Sequence, residues 1–165
     1  MILDGAMGTM IQGYDLSEED FRNDDLKDIE DPLQGNNELL SLTQPDIICD
    51  IHKSFLEVGS DIVETNTFSA NRISQADYNT QHLVYELNLE SAKAARRATD
   101  EYTKKTPDEP RFVAGAVGPT NKTLSLSPDV NNPGYRDTDF DTLKDAYYEQ
   151  LEGLADGGVD LFLVE

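Results

Sequence analysis

The chain has 165 residues, with 33 Asp and Glu against 13 Lys and Arg, for a net charge of −20. That length suits one domain and is short of the roughly 250 residues of a complete (β/α)8 barrel, while 38% hydrophobic and 28% charged residues describe a globular chain rather than a disordered one. The acidity argues against nucleic acid and anionic lipid as partners, and no apolar stretch approaches the ~20 residues of a membrane span.

The first apolar run, residues 1–3, reads as a buried parallel strand because it is continuous rather than alternating. It has neither the basic segment nor the long apolar run of a secretory leader. Residues 6–44 are rich in Gly, Asp and Asn and read as a long polar connection. The acidic runs Glu18-Glu19-Asp20 and Asp24-Asp25 within it read as solvated surface. Pro45 suits the first turn of a helix whose stripe is Ile47, Ile48, Ile51, Phe55 and Val58, with Gly59 as its stop. Cys49 lies on that helix as a small buried hydrophobe. A single cysteine forms no internal disulfide, which fits a reducing, cytoplasmic compartment.

A second strand follows over residues 61–63, then a long helix over 81–104 with Val84, Leu87, Ala94, Ala95, Ala98 and Tyr102 on its apolar face. Residues 112–117 read as a third strand and 118–137 as a polar loop. A further helix starts near Thr138, whose hydroxyl can cap it with Asp141 as a weak box partner. Its stripe is Leu143, Tyr147, Leu151 and Leu154, and Gly157-Gly158 stop it before a fourth strand at 161–164. His52 and His82 fall on helices and read as packed or solvated side chains. With one cysteine they fall short of a four-ligand zinc site.

The order β-α-β-α-β-α-β implies parallel strands joined by helical crossovers. A weak repeat relates Gly59-Ser60-Asp61-Ile62-Val63-Glu64 to Gly158-Val159-Asp160-Leu161-Phe162. Glu64 lies three residues past its Asp and Glu165 five past, so both carboxylates should share one face of the sheet. A strand at residues 161–164 expects a following helix and a neighbour, so the expectation is a barrel cut after its fourth strand. Such a sheet leaves two free edges and could self-associate.

The strand ends suit a small zwitterion. In Asp4-Gly5-Ala6, glycine after the carboxylate lets a ligand approach main-chain N–H groups that could hold another carboxylate; the plainer alternative is a tight turn. In Glu64-Thr65-Asn66-Thr67, Asn66 and Thr67 either orient a substrate or cap the next turn. Gly118-Pro119 reverses the chain, and its small residues leave room for a ligand. Glu165 either pairs with an ammonium group or is solvated. Asp4, Glu64 and Glu165 as hydrolytic acids are a weaker reading, since strand-end carboxylates are common in this fold class.

Asp4-Gly5-Ala6-Met7-Gly8-Thr9-Met10-Ile11-Gln12 resembles the opening of the homocysteine-binding domain of cobalamin-dependent methionine synthases. Gly35-Asn36-Asn37-Glu38-Leu39-Leu40, residues 59–68 and residues 115–130 resemble successive blocks of that domain, in the same order. The stretch from Gly118-Pro119-Thr120-Asn121 to Ser127-Pro128-Asp129-Val130-Asn131 favours the cobalamin-dependent family over betaine-type homocysteine methyltransferases. The resemblance spans residues 1–165 and implies the first half of a (β/α)8 TIM barrel, about four parallel strands with crossover helices. It implies homocysteine as substrate, with Asp4, Gly5 and Glu165 at its amino and carboxylate groups, and methyl transfer from methylcobalamin to a zinc-bound thiolate, giving methionine. The family's zinc cysteines come from later strands and Cys49 does not match them. This chain is therefore expected to bind neither zinc nor cobalamin, to hold no catalytic residue, and to be inactive without the C-terminal half-barrel and the folate and cobalamin modules. The rival reading is a non-catalytic domain that binds amino acids or associates with itself.

Overall fold

The computed structural model describes residues 1–165. Three parallel strands, β1 (Ile62–Glu64), β2 (Phe112–Val117) and β3 (Leu161–Val164), form a sheet in the order β1-β2-β3. The expected strand at residues 1–3 is reduced to one parallel bridge, Leu3 to Ile62. The reason lies in its position: Met1 and Ile2 stand at an open edge, largely exposed, with a neighbour on one side only. The crossover helices are α3 (Pro45–Glu57), α5 (Val84–Lys105) and α6 (Phe140–Asp156), all to one side of the sheet. Short helices α1 (Met7–Gln12), α2 (Leu40–Thr43) and α4 (Arg72–Gln75) lie in the connections. No helix is long and apolar enough to cross a membrane.

The two faces of the sheet differ. Val63 and Val113 point outward into a core with Cys49, Leu56, Ala95 and Ala98 of α3 and α5. The alternate residues Ile62, Glu64, Ala114, Ala116, Leu163 and Glu165 share the inner face. At the far edge, Leu161, Phe162 and Val164 of β3 are exposed.

The segment read as a polar connection carries the largest core instead. Ile11, Phe21, Leu26, Leu33, Leu39 and Leu40 are buried there and pack with Ile48, Ile51 and Leu87. Nor is Glu18 merely solvated. Its carboxylate accepts the N–H groups of Leu33 and Gln34 and pairs with Arg22 at 2.7 Å. Asp20 closes a capping box with Ser17. The acidic run thus satisfies donors in a segment with little regular structure.

Three boundaries also move. α5 is preceded by a 3-10 turn over Gln81–Leu83. Val58, assigned to the apolar stripe of α3, is 82% exposed beyond the helix end. α6 is capped by Asp139, whose carboxylate accepts the Thr142 N–H, rather than by Thr138, whose buried hydroxyl finds no partner. Alongside Leu154, its buried face consists of Ala146, Gln150 and Gly153. A Cβ at Gly153 would lie 2.6 Å from the Tyr85 carbonyl, so glycine sets how closely α6 approaches α5.

The internal repeat has a structural basis. Gly59 and Gly158 end their helices with φ of 106° and 87°, and the following N–H groups reach back five residues, Ser60 to Phe55 and Val159 to Leu154. Each repeat Asp then clamps the neighbouring strand twice. Asp61 N–H donates to Ile2 O while Asp61 Oδ2 accepts the Ile2 N–H at 2.7 Å. Asp160 does the same with Val113, also at 2.7 Å through its carboxylate.

His52 on α3 is fully buried and neither ring nitrogen finds a partner. Burial lowers its pKa from 6.5 to about 4. Between those values the unfolded chain binds a proton that the folded one refuses, so stability is full above pH 6.5 and falls as pH drops towards 4. His52→Leu removes both unpaired nitrogens. We expect it to stabilise the chain by about 1–3 kcal/mol at neutral pH, with a larger gap over wild type at pH 5, read by urea denaturation at both pH values. A less stable variant at both would show that the imidazole is satisfied after all.

Candidate functional site

The C-terminal ends of the strands open on a cavity of about 430 Å³, lined by Gly5, Ala6, Met7, Gly8, Asn37, Glu38, Glu64, Thr65, Asn66, Thr67, Phe68, Ala116 and Glu165. Of the residues singled out from sequence, Gly5, Ala6, Asn66, Thr67 and Glu165 line it directly. Asp4 sits at its base, where its Oδ1 accepts the Glu64 N–H at 3.0 Å. The N–H groups of Gly5, Ala6, Met7 and Gly8 find no main-chain acceptor, and no side chain caps the start of α1.

Burial raises Asp4 from 3.8 to about 7, against the opposing effect of the Glu64 N–H. Glu64 is likewise raised from 4.5 to about 7, first by burial and then by the facing Glu165 carboxylate and by Asp4. The odd spacings of the sequence repeat therefore do bring Glu64 and Glu165 together on one face. Glu38 joins them from the turn before α2. It accepts the Ser69 N–H at 2.9 Å, and burial pushes its carboxyl up. No Lys, Arg or His lines the cavity.

Thr65 and Thr67 shape the wall. Past the end of β1, the Ala116 N–H donates to Thr65 Oγ1 at 3.0 Å and Thr67 Oγ1 donates to Ala116 O at 2.8 Å. With its proton so used, Thr67 accepts from the Thr65 hydroxyl at 2.6 Å, which closes a ring of three bonds. The Thr67 hydroxyl is thus turned into the protein, and Thr67 lines the cavity with that hydroxyl already engaged. Asn66 neither caps a turn nor is wholly free. Its Nδ2 donates to Asn37 O at 2.7 Å, which leaves Oδ1 without a protein partner. The cap of the next helix comes from Asn71.

Gly118 also departs from expectation. It leaves no room for a ligand, because Phe68 packs over it: a Cβ there would lie 2.6 Å from the Phe68 carbonyl and 2.8 Å from its ring. Glu38, Asn37 and Phe68 were not singled out as site residues from sequence. Asn37 and Glu38 fall in the Gly35–Leu40 block, and only the packing of that turn against residues 66–69 reveals their part. His82 is exposed and lies in the turn before α5. Cys49 is buried on α3, where Arg97 Nε donates to its Sγ at 3.3 Å. No three His, Cys, Asp or Glu side chains converge as a metal centre.

The family model for homocysteine S-methyltransferase matches residues 1–165. Among solved structures, the metallated form of the homocysteine methyltransferase MmuM from Escherichia coli superposes with a TM-score of 0.72 at 22% identity over 100% of this chain. Its oxidized form gives 0.69 at 24% over 98%, and its apo form 0.63 at 21% over 98%. These likenesses place the fold as part of a barrel, and the chain spans about half the length of those proteins, 53%, 51% and 47% respectively.

The hydroxyl ring can be tested without touching the ligand. Thr67→Val keeps the shape but strands the Thr65 hydroxyl and weakens the satisfaction of Ala116. We expect a loss of about 1–3 kcal/mol, seen as a melting temperature several degrees lower, and recovery in Thr67→Ser. Equal melting of the Val variant and the wild type would show that the ring contributes nothing.

Proposed function

We propose that this chain, which belongs to the homocysteine S-methyltransferase family, holds homocysteine in the cavity at the C-terminal end of its sheet, as the N-terminal half of the homocysteine-binding barrel of a cobalamin-dependent methionine synthase. The carrying observation is the composition of the cavity. Three carboxylates and no basic side chain line it, beside main-chain N–H groups with no acceptor. An α-amino acid brings the complement: an ammonium for Glu165 and its acidic neighbours, and a carboxylate for the N–H groups of Gly5 and Ala6. Asp4 fixes β1 beneath the ligand, and Asn66 Oδ1 is a free acceptor. Thr67 and Gly118 serve by holding the wall.

The methyl donor in this reading is methylcobalamin, favoured by the block from Gly118 to Asn131. Neither zinc nor cobalamin is assigned to any residue of this chain, and the reaction of the whole protein needs the second half-barrel and the folate and cobalamin modules. A cytoplasmic setting fits the lone reduced cysteine. In the full-length protein, Glu165→Gln should weaken homocysteine binding at least tenfold by calorimetry, an effect of ~1.4 kcal/mol or more. Methylcobalamin should serve as donor in a turnover assay. Binding unaffected by Glu165→Gln would overturn the site, and turnover with other methyl donors alone would overturn the cobalamin assignment.

One observation favours a second property of the isolated chain, self-association. Leu3, Phe162 and Val164 are exposed at the two open edges of the sheet. Sedimentation of the 165-residue chain should show mass rising with concentration, and a monomer across the range would dismiss the idea.

A further inference from the structure

The carboxylate of Glu64 is not needed to hold the fold. It stands on the inner face of β1, lines the cavity and makes no bond to a protein donor, since only its main-chain N–H is used, by Asp4. The groups that face it are acidic, Asp4 from the segment beside β1 and Glu165 just past β3, and Glu38 from the turn before α2 lines the same cavity. No cation of the protein reaches the cavity. Two facing carboxylates without a counter-ion cannot both ionise at low cost, whereas an ammonium placed between them lets both do so.

We propose that Glu64 makes the site selective for an α-amino group: with Glu165 it shares one proton while the cavity is empty, and that proton leaves to solvent when a ligand ammonium enters between the two carboxylates. The inference rests on the amino-acid reading of the cavity and adds the residue that reads the ammonium. Nothing is oxidised or reduced. One O–H bond breaks, and the charge it leaves behind is balanced by the ligand cation.

The raised position of Glu64, about 7, sets where the effect is seen. Well below that pH the empty pair holds its proton and binding must expel it, so affinity rises as pH rises towards 8 and then levels.

Methionine is the suitable probe because it has the amino and carboxylate groups of homocysteine and no thiol proton. Calorimetry of the full-length protein in buffers of different ionisation enthalpy should find about one proton released per methionine near pH 6, falling towards none near pH 8. Glu64→Gln should cut that release by at least half, with any remainder coming from Asp4. It should also cut the preference for methionine over its desamino analogue, 4-(methylthio)butanoate, by tenfold or more. Wild-type binding of methionine without proton release would overturn the proposal even if the variant failed to fold, as would a folded Glu64→Gln protein that keeps both release and preference. Failure of the wild type to bind either methionine or homocysteine would overturn the amino-acid reading of the cavity, and this inference with it.

Discussion

The cavity exists because two threonine hydroxyls stand in for a strand. Parallel pairing between β1 and β2 stops at Glu64, yet the next turn of β2 still carries a buried N–H and a buried carbonyl at Ala116. Left unpaired, each would cost about 1–3 kcal/mol. Thr65 and Thr67 supply both partners from side chains, so the main chain can leave the sheet without penalty and swing out to form a wall. Gln150 secures the same point from behind, donating from α6 to Thr67 O at 2.8 Å. Sheet, wall and helix layer are tied within a few ångströms of where a ligand would sit.

That arrangement makes a strongly acidic chain useful. Its cations are spent on the outside, where Arg96 binds Asp160, Arg72 binds Glu149 and Lys53 binds Glu101. Exposed pairs of this kind add little stability, but they keep positive charge on the outer layer and away from the inner face. Asp4, Glu38, Glu64 and Glu165 then act in an environment that no protein cation neutralises. In the proposed reading the positive charge is brought by the ligand, and low dielectric strengthens that attraction.

How much of this was legible in the sequence depended on whether a feature is local. The parallel order, the three crossover helices and the shared face of Glu64 and Glu165 follow from periodicity and odd spacing, which depend on near neighbours. The core between residues 6 and 44 was hidden. Phe21, Leu26 and Leu33 follow no helical or strand period and are buried where α3 and α5 lie beside them. Composition there showed Gly, Asp and Asn, which are the residues that irregular backbone needs to satisfy itself. Glu38 and the packing of Phe68 over Gly118 were hidden for the same reason, since both arise between segments about thirty or more residues apart. The hydroxyl of Thr67 bonds across strands, which in sequence looks the same as one that points at a ligand.

The paired clamps of Asp61 on Ile2 and Asp160 on Val113 lie at the opposite end of the strands from the cavity. Each fixes the vertical offset between adjacent strands by two bonds to a single residue, so the shear of the sheet is decided at its floor. The rim is relieved of that duty. Loops above it can lengthen, shorten or change chemistry without the strands sliding, which divides the architecture into a part that must be kept and a part free to diversify.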